Sequence, residues 1–266
     1  MMDSPMERSE LFFEQPVAQT VTHVEGHEEP GQAHEIIPGL TSIIIAAHNT
    51  HWPLLHYTGH AIGSVHEHTK LPYEIILVDN GSPARLSDPK EYNVDKVIYL
   101  SENKGVAAAW NAGIRVSQGE YICLLNNDAL VFDNWLEDMQ EALQYTDLVM
   151  ANPMYGEPFS RAREAAQKRA AQLEKPFEES LTFTRDFSCV LAPRELFNLV
   201  GVFDEQFFMY CEDSDFLKRM EAAGYTARTC TRVNIFHIIS ATASTNPDTA
   251  EIMNKSKQFY KEKWGE

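Results

Sequence analysis

The sequence predicts an α/β protein built on a mainly parallel sheet, and three observations carry that reading. Short β-branched apolar runs alternate with segments of helical period. The runs are apolar throughout, as in strands buried on both faces. Several end in a polar group: Asn49 after the first, Asp79 after the second, Asn126 and Asp128 after the fourth. Polar groups gathered at the carboxyl ends of parallel strands are how open α/β sheets build ligand sites.

The elements follow in order. Residues 1–38 carry eight acids against Arg8 alone and show no sustained period, which predicts a disordered or loosely docked extension. Leu11, Phe12 and Phe13 are its docking candidates; His23, His27 and His34 are too loosely spaced, with no Cys, to read as a metal motif. Order starts with Thr41–Ala47, an Ile-rich strand ending in His48-Asn49-Thr50. Asn49 or Thr50 is the expected cap of the next helix, with Pro53 in its first turn. Leu54, Leu55, Thr58, Ile62 and Val65 form its buried face, and the histidines at 51, 56, 60, 66 and 68 read as solvated surface. Strands follow at Glu74–Asp79 and Lys96–Leu100, and Asn103-Lys104-Gly105 opens an Ala-rich helix.

The stretch Tyr121–Val131 is the centre: an apolar run breaks off into Asn126-Asn127-Asp128, a natural place for a cation and a phosphate-bearing ligand. A strand followed by an Asx turn accounts for it equally well. Asp133 is the expected cap of a helix through Trp135, Leu136, Met139 and Leu143, and Asp147–Ala151 is another strand. Residues 155–185, with a charged helix over Arg161–Glu174, read as an insertion or lid, or as a plain surface helix. A strand at Phe187–Ala192 and a helix from Pro193 to Val200 lead to an aromatic loop, Gly201–Tyr210. Cys211-Glu212-Asp213-Ser214-Asp215 starts a helix that Gly224 stops. Two strands, Tyr225–Cys230 and Val233–His237, and a helical tail, Asp248–Trp264, placed across the sheet, complete the chain.

Composition sets the outer limits. At 266 residues the chain suits one large domain, with or without appendages. A net charge of −17, from 22 basic and 39 acidic residues, argues against a nucleic-acid partner and gives no support to an anionic membrane surface. The four cysteines form no CxxC pair and read as reduced thiols. No apolar run of ~18 residues marks a transmembrane segment, and the start of the chain lacks a signal-peptide pattern. The expectation is a cytoplasmic protein, with peripheral attachment at the inner membrane face left open.

Several motifs recur here in a characteristic order: His48-Asn49; Val78-Asp79-Asn80-Gly81-Ser82; Asn103-Lys104-Gly105; Trp110-Asn111-Ala112-Gly113; Leu125-Asn126-Asn127-Asp128; Gly201–Phe208; Glu212-Asp213-Ser214-Asp215; and His237. Over roughly residues 41–240 the chain resembles glycosyltransferase family 2, inverting enzymes of the GT-A fold, and within it the rhamnosyltransferase-like bacterial members. The resemblance implies a Rossmann-like, mainly parallel central sheet flanked by helices, with a smaller acceptor-side subregion. It implies a nucleotide-binding half at about 39–130 and an acceptor-side half at about 131–240 within a domain of 39–240. The insertion at about 155–185 belongs to that domain, and 241–266 is a helical tail.

The resemblance also assigns roles. Ala47, Asn49, Asp79, Asn80, Lys104, Gly105, Asn111, Asn126 and Asn127 would bind a UDP- or dTDP-sugar, with Asp79 on the pyrimidine ring. Asp128 and His237 would hold Mn²⁺ or Mg²⁺, the imidazole suiting Mn²⁺ better. Asn126 stands where the family's metal motif has its first acid, and a neutral amide oxygen binds a dication more weakly. Asp213 would be the general base, kept ionised by the helix N-terminus, with Glu212 and Asp215 as alternative bases or acceptor binders. All three acids equally well cap that helix. Acceptor choice is expected in the 155–185 insertion and at Phe207, Phe208 and Tyr210; the acceptor itself can be carbohydrate, lipid-linked or protein, and the oligomeric state is not readable. Two other classes compete. A nucleotidyltransferase would carry a Gly-rich basic loop after the first strand, where His48–Trp52 has none; a nucleotide-sugar-binding protein that has lost catalysis would explain Asn126.

Overall fold

The computed structural model describes residues 22–25, 35–84, 92–155, 164, 176–238 and 247–265. Among these lie ten strands: β1 Thr22–Glu25, β2 Ile37–Ala47, β3 Tyr73–Asn80, β4 Lys96–Leu100, β5 Gly119–Asn126, β6 Ala129–Leu130, β7 Leu148–Met154, β8 Leu181–Thr182, β9 Cys189–Pro193 and β10 Ala227–His237. The helices are α1 Trp52–His68, α2 Val106–Val116, α3 Trp135–Ala142, α4 Arg194–Val200, α5 Glu212–Ala222 and α6 Thr249–Trp264, with a 3₁₀ turn at Phe177–Ser180.

The strands form one sheet in the order β1-β4-β3-β2-β5-β9-β7-β10-β6, with β8 also on β10. From β1 to β5 every pairing is parallel. β9 runs antiparallel between β5 and β7, and β10 lies parallel to β7. β2 explains the double burial: Ile43, Ile45 and Ala47 face a core closed by α1 and α3, whereas Ile44 faces one closed by α2, α4 and α5. α2 can approach β2 because residue 113 is glycine; a Cβ there would collide with the Ile44 side chain.

Several expectations shift. Order reaches further toward the amino end: β2 starts at Ile37, so a boundary at residue 38 cuts a strand, and Thr22–Glu25 pairs with β4 as an edge strand. Four residues are too few to show a period, so a strand held by tertiary pairing leaves no local signal. His51, without a side-chain cap, starts α1 in place of Asn49 or Thr50, and Asn134, with φ 63°, starts α3 in place of Asp133. His66 and His68 are not solvated surface: His66 bonds the Tyr73 hydroxyl (2.8 Å) and Tyr92 O (2.9 Å), and His68 Nδ1 lies 2.8 Å from Asp133 Oδ1. The two expected strands at 225–237 are one strand, β10, with a register shift between Cys230 and Asn234. The tail does not cross the sheet. It packs on α5 and the aromatic loop, through Phe207 against Phe259 and Ser256 Oγ donating to Met209 O (2.8 Å). The helix expected over Arg161–Glu174 lies outside the described residues, as do most of the first 34. Among the described residues no helix is long and apolar enough to cross a membrane.

Candidate active site

A cavity of about 590 Å³ opens at the carboxyl ends of β2, β3 and β5, within the size range of ligand pockets. Of the residues expected at a site, Ala47, Asn80, Gly105, Asn126, Asn127, Asp128, Glu212, Asp213 and His237 line it. Asn49, Asp79, Lys104, Asn111 and Asp215 do not.

The first wall is built from side chains that satisfy one another. Asp79 Oδ1 accepts the Ser82 N–H at 2.7 Å, closing the turn after β3. Asn80 spends its whole amide on the neighbouring loop: Nδ2 donates to Asn103 Oδ1 (2.9 Å) and Gly105 O (3.0 Å), and Oδ1 accepts the Lys104 N–H (2.9 Å). Thr58 Oγ1 donates to Asn49 Oδ1 (2.9 Å) and accepts from Asn127 Nδ2 (3.0 Å), so buried Asn49 sets the position of Asn127. Lys104 is exposed. His48, at the end of β2, lies 2.9 Å from Asn80 O through Nδ1. A carbonyl only accepts, so Nδ1 carries a proton in this contact.

Across the cavity, Val106 N–H donates to Phe208 O at 2.8 Å, docking the aromatic loop on the start of α2. Gly105, at φ 87°, permits the approach; a Cβ would strike the Phe208 carbonyl. Asn111 clamps the same loop, with Nδ2 to Phe203 O (2.9 Å) and Glu205 Oε1 (2.9 Å) and Oδ1 accepting Phe203 N–H (3.0 Å). Its expected place at the nucleotide is therefore taken by a structural duty. Asp215 is fully buried, bonded to Arg219 Nε (2.9 Å), Lys263 Nζ (2.7 Å) and Trp264 Nε1 (3.0 Å). It anchors α6 and does not line the cavity, so it is removed from the candidate bases. Phe207 turns inward, while Phe208 and Tyr210 line the cavity.

Asn126, Asp128 and His237 meet at one point. His237 Nε2 lies 3.0 Å from Asp128 Oδ1 and 3.3 Å from Asn126 Nδ2, whose amide can turn its oxygen inward. Two ligands at right angles on a small cation with legs of about 2.1 Å stand about 3 Å apart, so the spacing fits a divalent ion. Among the described residues no three His, Cys, Asp or Glu side chains converge; the third polar group beside Asp128 and His237 is the Asn126 amide. His237 Nδ1 is buried without a partner.

Asp213 and Glu212 also line the cavity, at the start of α5, after Tyr210 and Cys211, both with left-handed backbone (φ 72° and 69°). Such strain in non-glycine residues gathers at functional sites. The expectation that the helix N-terminus lowers the Asp213 pKa is overturned. Burial pushes its carboxyl up, outweighing the Ser214 N–H at 2.6 Å, and Asp186 adds to the rise. Burial and the Asp213 charge push Glu212 up to about 8. Sequence reading missed His48, Trp110, Arg185 and Asp186, all on the cavity lining. His48 stands between two expected residues and was open to inclusion; Arg185 and Asp186 carry no local signal.

The sequence profile described as Glycosyl transferase family 2 matches residues 42–201, the segment that builds most of this cavity. The chain belongs to glycosyltransferase family 2. This family 2 chain is 23% identical over 180 residues to the dTDP-rhamnosyl transferase RfbF of Shigella flexneri, covering 62% of the chain and 60% of RfbF. It is 34% identical over 113 residues to the glycosyltransferase GlyG of Streptococcus pneumoniae, covering 41% of the chain and 36% of GlyG. An uncharacterised glycosyltransferase of Rickettsia bellii, 31% identical over 117 residues, is spanned for 16% of its length, against 43% of this chain. The chain thus spans less than two thirds of each of these relatives. Among solved structures, residues 1–349 of S. aureus TarS superpose with TM-score 0.55 at 14% identity, covering 82% of this chain and 70% of that one. GalNAc-T7 with UDP, GalNAc and Mn²⁺ gives TM-score 0.57 at 14% identity, covering 78% and 44%. The fold is GT-A.

Proposed function

We propose that the chain is an inverting glycosyltransferase that moves a sugar from a UDP- or dTDP-sugar to an acceptor hydroxyl. The observation that carries this reading is one cavity lined both by Asp213 and by the Asn126–Asp128–His237 cluster. A single displacement needs a base on the face opposite the leaving group. Asp213 takes the proton from the acceptor hydroxyl, and its raised pKa brings it towards the working range of a base. A divalent cation, Mn²⁺ or Mg²⁺, held by Asp128, His237 and the Asn126 amide, would act as Lewis acid on the departing diphosphate. His48 offers Nε2 to a nucleobase, and Asp79 acts through the turn that it closes. Trp110, Phe187 and Phe208 line the cavity with apolar surface. In this reading the nucleotide half is about 39–130, the acceptor half about 131–240, and acceptor choice rests with the 155–185 segment, Phe208 and Tyr210.

A relative named as a dTDP-rhamnosyl transferase and a neighbour crystallised with UDP and Mn²⁺ support the donor class and the cation. The test is nucleotide release from UDP-, dTDP- and GDP-sugars with Mn²⁺ and then with EDTA. Slow release from one uridine or thymidine donor, lost in EDTA, is the expected result. If neither UDP nor dTDP binds by calorimetry in Mn²⁺, the reading is wrong.

A further inference from the structure

Two histidines of α1 stand side by side outside the cavity lining. His56 and His60 are one helical turn apart, which puts them on one face of the helix. Their ring centroids lie 6.0 Å apart, with the planes 27° from parallel, and both residues are half-buried. The face stays open beyond them: a Cβ added at Gly63, three residues past His60, would meet nothing within 4 Å. Two later imidazoles of the same helix are already bonded to protein. His66 bonds Tyr73 and Tyr92 through its two nitrogens, and His68 lies 2.8 Å from Asp133. No hydrogen bond or ion pair is formed to His60 among the described residues. Burial and the neighbouring His56 both push the His60 pKa down, towards the neutral imidazole that ligates metals.

We propose that His56 and His60 form a site for a borderline divalent cation, Zn²⁺, Ni²⁺ or Cu²⁺, separate from the Asp128–His237 cluster. Two imidazoles at i and i+4 of a helix are a recurrent way of gripping zinc. An imidazole nitrogen bonds zinc at about 2.1 Å, so its ring centroid stands about 3.2 Å from the ion, and two centroids at the tetrahedral angle stand about 5 Å apart. The observed 6.0 Å falls between that spacing and the about 6.4 Å of a linear pair, within a small side-chain rotation of chelation. Each ring has two nitrogens, so a contact at one leaves the other for the ion and fixes its tautomer. Water completes the shell over the open face at Gly63, and imidazole ligands select these ions over Mg²⁺ and Ca²⁺. The pair brackets Thr58, which faces the other way and is fully buried. The Thr58 hydroxyl holds Asn49 and the cavity-lining Asn127. An ion across this turn stiffens the helix at the point where it supports the cavity. The inference is independent of the transferase reading.

The test is calorimetric titration of Zn²⁺ into wild type, H56A and H60A, with Mg²⁺ as the contrasting ion. Wild type takes up one equivalent of Zn²⁺ that each variant binds about tenfold or more weakly, and Mg²⁺ leaves the three proteins alike. Asp128 and His237 are intact in all three, so an ion in the cavity cancels from the comparison. The melting temperature of wild type rises in Zn²⁺ by mass action, and those of the variants rise less. Side-chain NMR of wild type needs no substitution: Zn²⁺ shifts the His56 and His60 imidazole resonances and leaves those of the bonded His66 and His68 in place. Equal Zn²⁺ binding by the three proteins, wild-type binding weaker than about 1 mM, or shifts confined to other histidines overturns the proposal.

Discussion

The two walls of the cavity differ in how their polar groups are spent. On the β2–β3–β5 wall, Asn49, Asp79, Asn80 and Asn127 bond to one another's loops or to Thr58, and these bonds give the wall its shape. On the α5 and β10 side, Glu212 Oε2 and His237 Nδ1 are buried without partners. A buried polar atom left unpaired costs about 1–3 kcal/mol, so a further bond at either atom would be stabilising. The bonded groups shape the cavity and the two unpartnered atoms are left unspent, although both sets belong to residue types that suggest binding.

The largest effect expected from breaking this contrast is at Asp213. Asp213→Asn should lower transfer by about 10²–10⁴-fold while UDP binding by calorimetry persists; retained transfer would remove Asp213 as the base. Next is Asp215, which belongs with the saturated groups. Asp215→Ala strands Arg219 and Lys263 and should cost about 3 kcal/mol in urea unfolding. A loss below about 1 kcal/mol would show that α6 is not anchored there.

Glu212 sharpens the comparison through pH. Its folded-state pKa is raised from 4.5 to about 8, so the folded protein holds the proton more tightly than the unfolded chain. The contribution of Glu212 to stability is then greatest below 4.5, falls as pH rises towards about 8, and levels beyond it. Melting temperatures across that window should decline in wild type, by the equivalent of at most about 5 kcal/mol, and E212Q should flatten the slope. The smallest effect is at the metal cluster. Asn126→Asp adds a charged ligand and should tighten Mn²⁺ by about tenfold, read by calorimetry; no change would place the cation away from residue 126.

Where sequence reading failed, the cause was a partner far along the chain. Asn111 was expected at the nucleotide, but it bonds Phe203 and Glu205, 92 and 94 positions away. Asp133 was expected to cap a helix, yet it meets His68, 65 positions back. The Asp213 pKa was assigned from the helix N-terminus alone, a local effect, whereas burial by the surrounding loop reverses its direction. By contrast, β4 was read with its observed ends, Lys96–Leu100, because an apolar run between turn signals is a local property.

The chain's own pattern was enough for the α/β class, for most strands and helices, and for the polar tips of β2, β3 and β5, since period and turn chemistry act over a few residues. The ordered motifs were enough for family 2 and GT-A. Tertiary structure alone decided that His237 closes on Asp128 from 109 positions away, that Asn80, Asn111 and Asp215 are spent on structural partners, and that Glu212 Oε2 is left without a partner. Whether a polar side chain is scaffold or reagent depends on which distant groups reach it and how much water is left beside it, and neither is encoded within a single turn of the chain.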